Sequence, residues 1–390
     1  MKLLSFFLTI LLAGCASSEP QVTTPPTTVA AVTETVTMPA ASTEATLPAE
    51  TVPFDPIKEM IGDMSLQERV GQLFLVRCDA SVALEDIQDY HLGGFVLFGQ
   101  DFENQTPDSM REKLASYQAT AKIPLLIAVD EEGGTVTRVS SNRAFRSSKF
   151  PSIRQLYETG GLDSILATED EKCQLLKDLG INVNLGPVCD ITTDPSAFMF
   201  QRSLGQDHAT TADVIFSLVW KMNTYKIGSV LKHFPGYGNN TDTHTGIAVD
   251  ERSLGDLEQK DLVPFQSGIE SQCGAIMVSH TILTCLDTEF PASLSPSVHD
   301  YLRQEMAFDG VIITDDLVMQ AITDRYGAGE AAVLAVLAGN DLLCSTDYRT
   351  QYDAVYAAVL DGRIDIDTLN NAVRNVLEWK TELGLIPLSN

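Results

Sequence analysis

From Phe54 onward, short apolar runs alternate with longer stretches whose apolar positions recur at helical spacing. Eight such runs read as strands, at residues 70–79, 93–99, 124–130, 181–190, 228–234, 275–280, 310–316 and 340–345. The intervening stretches 107–120, 164–179, 208–225, 257–271, 296–306 and 329–338 are long enough for crossover helices, and 348–360 and 366–383 follow the last strand. Strands that alternate with helices form parallel sheets, and eight β/α units close into a barrel. The pattern therefore predicts an α/β fold, a (β/α)8 TIM barrel forming a single catalytic domain over residues 54–390. An open, doubly wound sheet is the alternative.

Polar residues fall at the carboxyl ends of these runs: Asp130, Asp190, Lys232-His233, Ser279-His280 and Asp315-Asp316. In a barrel of this kind those ends carry the chemistry, and the opposite ends serve stability. The stretch from Leu231 to Gly246 is the richest. A strand end delivers Lys232 and His233 to a loop punctuated by Pro235, Gly236, Gly238 and Gly246, and that loop carries Asp242 and His244 two residues apart. Taken singly, Lys232 reads as an ordinary ion pair, His233 as a satisfied core histidine and Asp242–His244 as a solvated turn. Together at one strand end they point to an active site.

The amino terminus is of another kind. Residues 1–14 form a short signal-peptide pattern, one lysine and then an apolar run too short to span a bilayer, and Leu12-Ala13-Gly14-Cys15 resembles a bacterial lipobox. That resemblance implies cleavage before Cys15, lipidation there and an extracytoplasmic, membrane-anchored protein. Residues 15–53 are rich in Thr, Pro, Ala and Ser, with neither glycine nor aromatic residues, and read as a tether. The formal charge of −27 argues against nucleic acid or anionic lipid as a partner and favours neutral, small or cationic ligands. The remaining cysteines, Cys78, Cys173, Cys189, Cys273, Cys285 and Cys344, form no CxxC pair, so neither a zinc site nor another metal or cofactor is expected.

The motifs Lys232-His233-Phe234-Pro235-Gly236, Asp242-Thr243-His244, Val129-Asp130-Glu131-Glu132-Gly133-Gly134, Arg202-Ser203-Leu204-Gly205 and Ile313-Thr314-Asp315-Asp316-Leu317 together resemble glycoside hydrolase family 3, in particular its β-N-acetylglucosaminidase branch. The resemblance covers about residues 57–385. It implies retaining, two-step hydrolysis of terminal β-linked GlcNAc from peptidoglycan fragments or chito-oligosaccharides. Asp315 matches the nucleophile, with Asp316 as its neighbour and a better fit for capping the next turn. His244, oriented by Asp242, matches the acid/base. Asp130, Arg202, Lys232 and His233 match positions that bind ring hydroxyls.

A cation beside Asp315 would keep it ionised, and Lys232 is the natural candidate. Glu131 and Glu132 read as turn residues or acids, and Asp190 and His280 as pocket-shaping or backbone-bonding groups. Arg77, ending the first strand, is placed to reach a charged substituent. The family's Pro-Gly-His-Gly stands here as Pro235-Gly236-Tyr237-Gly238, which puts a phenol able to stack on a sugar where the family has an imidazole. Three other readings compete: a β-glucosidase or β-xylosidase of the same family, a sugar-binding surface lipoprotein without catalysis, and transfer of the sugar to phosphate instead of water.

Overall fold

A computed structural model describes residues 54–238 and 246–387. After two short helices, α1 (Pro56–Asp63) and α2 (Leu66–Gln72), the barrel strands follow in sequence. They are β1 (Phe74–Arg77), β2 (Gly94–Leu97), β3 (Leu126–Val129), β4 (Val183–Asn184) and β5 (Gly228–Phe234). After a side strand β6 (Ala248–Asp250) come β7 (Ala275–Val278), a second side strand β8 (Thr281–Leu283) that pairs with β6, then β9 (Val311–Thr314) and β10 (Leu343–Ser345). Every barrel neighbour pairs in parallel, in the order β10-β1-β2-β3-β4-β5-β7-β9. A parallel bridge from Ile313 to Leu342 joins β9 to β10 and closes the ring. All eight anticipated runs are therefore barrel strands. The first begins later than its apolar pattern, because Val70 to Gln72 complete α2, which Ser65 opens with a capping box to Glu68.

Although α3 (Ala83–Tyr90) has no side-chain cap, several other helices begin where a side chain provides one. Thr106 opens α4 (Pro107–Thr120), with proline at the first position where a missing N–H costs nothing, and Asp207 opens α6 (His208–Tyr225). The helix expected at 164–179 starts earlier: α5 runs from Ile153 to Leu179 and bends at Gly160–Gly161, where φ of Gly161 is +61°. The stretch 257–271 divides into α7 (Leu254–Gln259) and α8 (Leu262–Glu270), and α9 (Pro296–Asp300), α10 (Gln320–Tyr326) and α11 (Ala328–Ala338) follow.

Strand alternation sorts the side chains into two cores. Phe74, Val76, Phe95, Leu97, Ile127 and Val129 face outward and pack under the helices. Leu75, Val96, Leu126, Ala128, Val230, Met277, Val311 and Ile313 face inward and fill the barrel. Continuing that alternation one residue past the packed layers brings Arg77, Phe98, Asp130, Lys232, Ser279 and Asp315 to the inner rim of the mouth. At the floor, the final helix α13 (Ile366–Glu382) does more than complete the outer ring. Its Val376 and Trp379 belong to the inner core. A Cβ on Gly274 would lie 2.0 Å from the Trp379 indole nitrogen, and one on Gly228 2.7 Å from its ring, so glycine is what lets the indole seal the barrel.

Candidate active site

Four of the residues singled out from sequence converge at the mouth, and two acids tie them together. Lys232, at the inner rim on β5, bonds Asp130 Oδ1 at 2.6 Å and Glu132 Oε1 at 2.8 Å. Glu132 also takes a bidentate pair from Arg202, 2.9 Å from Nε and 2.7 Å from a terminal nitrogen. That terminal nitrogen lies 3.2 Å from His233 Nε2, and His233 Nδ1 lies 2.8 Å from Asp190 Oδ2. A guanidinium only donates, so Nε2 accepts and the ring proton sits on Nδ1, directed at Asp190. The result is a continuous chain of alternating donors and acceptors from Asp130 to Asp190.

Burial shapes its electrostatics. Desolvation pulls the Lys232 ammonium down, but Asp130 and Glu132 more than offset it and hold the group above its usual value. For Glu132 burial pushes up, and the Lys232 and Arg202 charges override it, keeping the carboxyl well below the carboxylate range. Arg202 is likewise held above its ordinary value, burial being outweighed by Glu132. Lys232, Glu132 and Arg202 are each paired with an opposite charge, the condition under which such burial is tolerated.

Glu132 is the residue that sequence reasoning undervalued. It is neither a turn residue nor placed as an isolated acid, since both of its oxygens serve cations. Its signal was the presence of two cations, Lys232 and Arg202, among the motif residues with too few acids assigned to them. Glu131 is structural: fully buried, it accepts the backbone N–H of Arg138 at 2.9 Å and of Val139 at 2.7 Å, and the Ser140 hydroxyl. Asp190 has a sharper role than pocket shaping. Besides His233 Nδ1 it accepts the His233 N–H at 3.1 Å and the Tyr237 N–H at 2.7 Å.

Asp315 follows β9, its N–H bonded to Val278 O at 3.1 Å and its Oδ1 accepting the Asp316 N–H at 2.8 Å. Lys232, expected to keep Asp315 ionised, has its ammonium bonded to Asp130 and Glu132. Asp316 takes the capping role, accepting from Val318 N at 3.2 Å, Thr346 N at 3.1 Å and the Thr346 hydroxyl at 2.6 Å. Burial, with Asp315 alongside, raises its pKa. His280 braces the same turn, with Nε2 3.1 Å from Asp316 O and Nδ1 2.7 Å from the Ser293 hydroxyl.

Asp242 and His244 lie outside the described residues. On either side of them the backbone has the left-handed φ that glycine permits, +56° at Gly238 and +153° at Gly246. Tyr237 is not an open stacking platform: its ring is 2% exposed and packs edge-on between His233, at 5.2 Å, and Phe198, at 5.6 Å. The six cysteines of the described residues are free thiols, and among those residues no cluster of three His, Cys, Asp or Glu could hold a metal ion. The enclosed, largely apolar cavity bounded by Ile153, Leu156, Ile165 and Leu218 lies behind the Glu132–Arg202 pair, and Asp315 does not line it.

Residues 65–379 match the family described as the glycosyl hydrolase family 3 N-terminal domain. The chain is 30% identical over 329 residues to the β-hexosaminidase LpqI of Mycobacterium tuberculosis, an alignment covering 81% of this chain and 83% of that protein. It is 32% identical over 267 residues to a β-hexosaminidase of Nitrosomonas eutropha, covering 65% and 73% respectively. Among solved structures, a family 3 β-N-acetylglucosaminidase from a Paenibacillus species superposes with a TM-score of 0.77 at 30% identity, over 84% of this chain and 65% of that one.

Proposed function

The chain belongs to glycoside hydrolase family 3, and we propose that it is a retaining exo-β-N-acetylglucosaminidase that removes terminal β-linked GlcNAc from peptidoglycan fragments or chito-oligosaccharides. The observation that carries this reading is the mouth of the barrel. Asp315 stands at a rigid strand end on the same inner rim as the paired cluster of Asp130, Lys232, Glu132, Arg202 and His233. A nucleophile and a set of hydroxyl-binding groups are what a two-step displacement on a sugar requires. Both the relatives named β-hexosaminidase and the Paenibacillus β-N-acetylglucosaminidase support the substrate.

In the first step an Asp315 oxygen bonds to the anomeric carbon while the glycosidic C–O bond breaks. His244 gives its proton to the leaving oxygen. In the second step a water attacks the same carbon, His244 takes back a proton, and the Asp315 carboxylate departs. An unperturbed imidazole titrates at about 6.5, so one group can donate and accept near neutrality, and Asp242 fixes its tautomer and stabilises the imidazolium. Asp130, Lys232, Arg202 and His233 hold the ring hydroxyls; carboxylates and guanidiniums pair with hydroxyls more strongly than neutral groups do.

The test compares release of a chromophore from β-GlcNAc and β-glucose conjugates by the wild type, Asp315→Ala and His244→Ala, with the anomer of the product followed by NMR. The expected result is preference for GlcNAc, β product, near-complete loss in Asp315→Ala, and loss in His244→Ala that is worst with poor leaving groups. Preference for glucose, or full activity of Asp315→Ala, defeats the reading. We further propose that Cys15 carries lipid and anchors the enzyme outside the cytoplasm. Incorporation of labelled palmitate that Cys15→Ala abolishes is the expected result, and equal labelling of that variant would refute it.

A further inference from the structure

After β5 the chain leaves the barrel, passes through the segment that carries Asp242 and His244, and returns along β6. The two stems of that segment meet at one side chain, Arg252. Its Nη2 donates to the carbonyl of Gly236 on the outgoing stem at 3.1 Å. On the returning stem its Nε lies 2.9 Å from Asp250 Oδ1 and its Nη2 2.6 Å from Asp250 Oδ2. Its Nη1 lies 2.8 Å from Asp261 Oδ2, immediately before α8. Asp250 is held in turn by its carbonyl, which accepts the Thr284 N–H and the Thr284 hydroxyl, each at 3.0 Å, just past β8. Asp190 fixes the outgoing stem from the other direction, through the Tyr237 N–H at 2.7 Å. A Cβ on Gly238 would stand 2.8 Å from the guanidinium carbon, so the chain passes directly against that group.

An arginine that only balanced charge would need one carboxylate. This one has two, both buried, and aims a further donor at a backbone carbonyl sixteen residues upstream. Desolvation pulls its pKa down, and the bonds to Asp250 and Asp261 outweigh that and hold it above the ordinary value. A planar fork of donors bonded in three directions fixes the separation of the groups it joins. That matters for proton transfer, where a misplacement of about 1 Å costs on the order of a hundredfold. We propose that Arg252 is a positioning residue for general acid/base catalysis: by joining Gly236 to Asp250 it sets the separation of the two stems, and so where His244 is presented to the glycosidic oxygen. This deepens the proposed glycosidase reading and rests on it, because that reading assigns the proton transfer to His244.

The experiment measures kcat/KM of the full chain on two β-GlcNAc conjugates, a dinitrophenyl one whose leaving group departs without a proton and a phenyl one whose leaving oxygen needs it. Wild type, Arg252→Lys, Gly238→Ala and His244→Ala are compared, with thermal unfolding to confirm that each is folded. Lysine keeps a charge beside Asp250 and Asp261, but a single nitrogen cannot span all three partners. The expected result for Arg252→Lys is a loss of about tenfold or more on the phenyl conjugate, part of the roughly hundred- to ten-thousandfold that general acid catalysis supplies, and less than about threefold on the dinitrophenyl one. Gly238→Ala, which presses a methyl against the guanidinium, should show the same split and carries the test if Arg252→Lys does not fold. Equal losses on the two conjugates, or none on either, overturn the positioning role, since a merely structural residue has no reason to discriminate between leaving groups. His244→Ala separates the two readings. A split in that variant without one in Arg252→Lys or Gly238→Ala removes the positioning role alone; no split in His244→Ala removes the acid/base assignment and this inference with it.

Discussion

Lys232 at the mouth of the barrel and Lys380 at its floor are both buried cations, and the fold treats them in opposite ways. Lys232 has two carboxylates within 2.8 Å and is held above its usual pKa although desolvation acts against it. Lys380, fully buried in the last turns of α13, has Gln72 Oε1 at 2.7 Å and, among the described residues, no carboxylate as a hydrogen-bond partner. Burial draws it down to about 7 from 10.5. Equal depth therefore says little about a charge; what decides is whether acids travel with it. At the mouth the charges are retained and organised. At the floor, around Trp379, the fold selects for packing, and the buried Lys380 ammonium is a liability.

The largest effect that could break this contrast is Lys232→Met. It leaves Asp130 and Glu132 each without their shared cation, a loss of the kind that costs about 3–5 kcal/mol. We expect kcat/KM on a chromogenic β-GlcNAc conjugate to fall roughly a hundred- to a thousandfold, with a lower midpoint in thermal unfolding. Activity within threefold of wild type would mean that the paired cluster is not what binds sugar.

Lys380→Met should do the reverse. The unfolded chain holds this proton down from pH 10.5, whereas the folded chain releases it above about 7. Between those values each unit of acidification therefore removes ~1.4 kcal/mol of stability, and the penalty is complete below pH 7. Methionine removes that penalty and leaves Gln72 Oε1 unpaired, at about 1–3 kcal/mol. A net gain on the order of 2–3 kcal/mol near pH 7, shrinking toward pH 10.5, is expected from urea unfolding at a series of pH values. A gain independent of pH would show that the ammonium is not the source.

Gly274→Ala tests the packing side. The added methyl meets the Trp379 indole at 2.0 Å, and overpacking of this kind costs roughly 1–3 kcal/mol. Chemical denaturation should register that loss while KM stays unchanged, because the floor is remote from the sugar. The smallest effect belongs to Asp316→Asn. One of its oxygens survives to accept backbone N–H groups, so a loss of about 1 kcal/mol and activity within tenfold of wild type are expected. A collapse of activity matching that of Asp315→Asn would erase the division of labour between the two neighbours.

Much of this architecture was legible in the chain. The eight strands stood out because most are short runs of largely apolar residues, and helices α4, α6 and α12 (Tyr348–Leu360) begin and end where their patterns do. The strand-end polar residues marked the mouth correctly, because period-two alternation carries Asp130, Lys232 and Asp315 to one inner rim. The bend of α5 was hidden in a glycine pair that reads equally well as a helix end. Glu131 and Glu132 show where local reading fails: adjacent acids of identical composition, one capping backbone N–H groups and the other joining two cations.

The sequence by itself determined the number and order of the β/α units, the family, and the inward phase of the residues at the strand ends, since these follow from local periodicity and motif order. Which charge pairs with which was decided only by the tertiary structure. Glu132 meets Arg202 seventy positions away, and Lys232 meets Asp130 across 102. Closing the barrel is what brings separate strand ends within the few ångströms over which a buried charge finds a partner or goes without one.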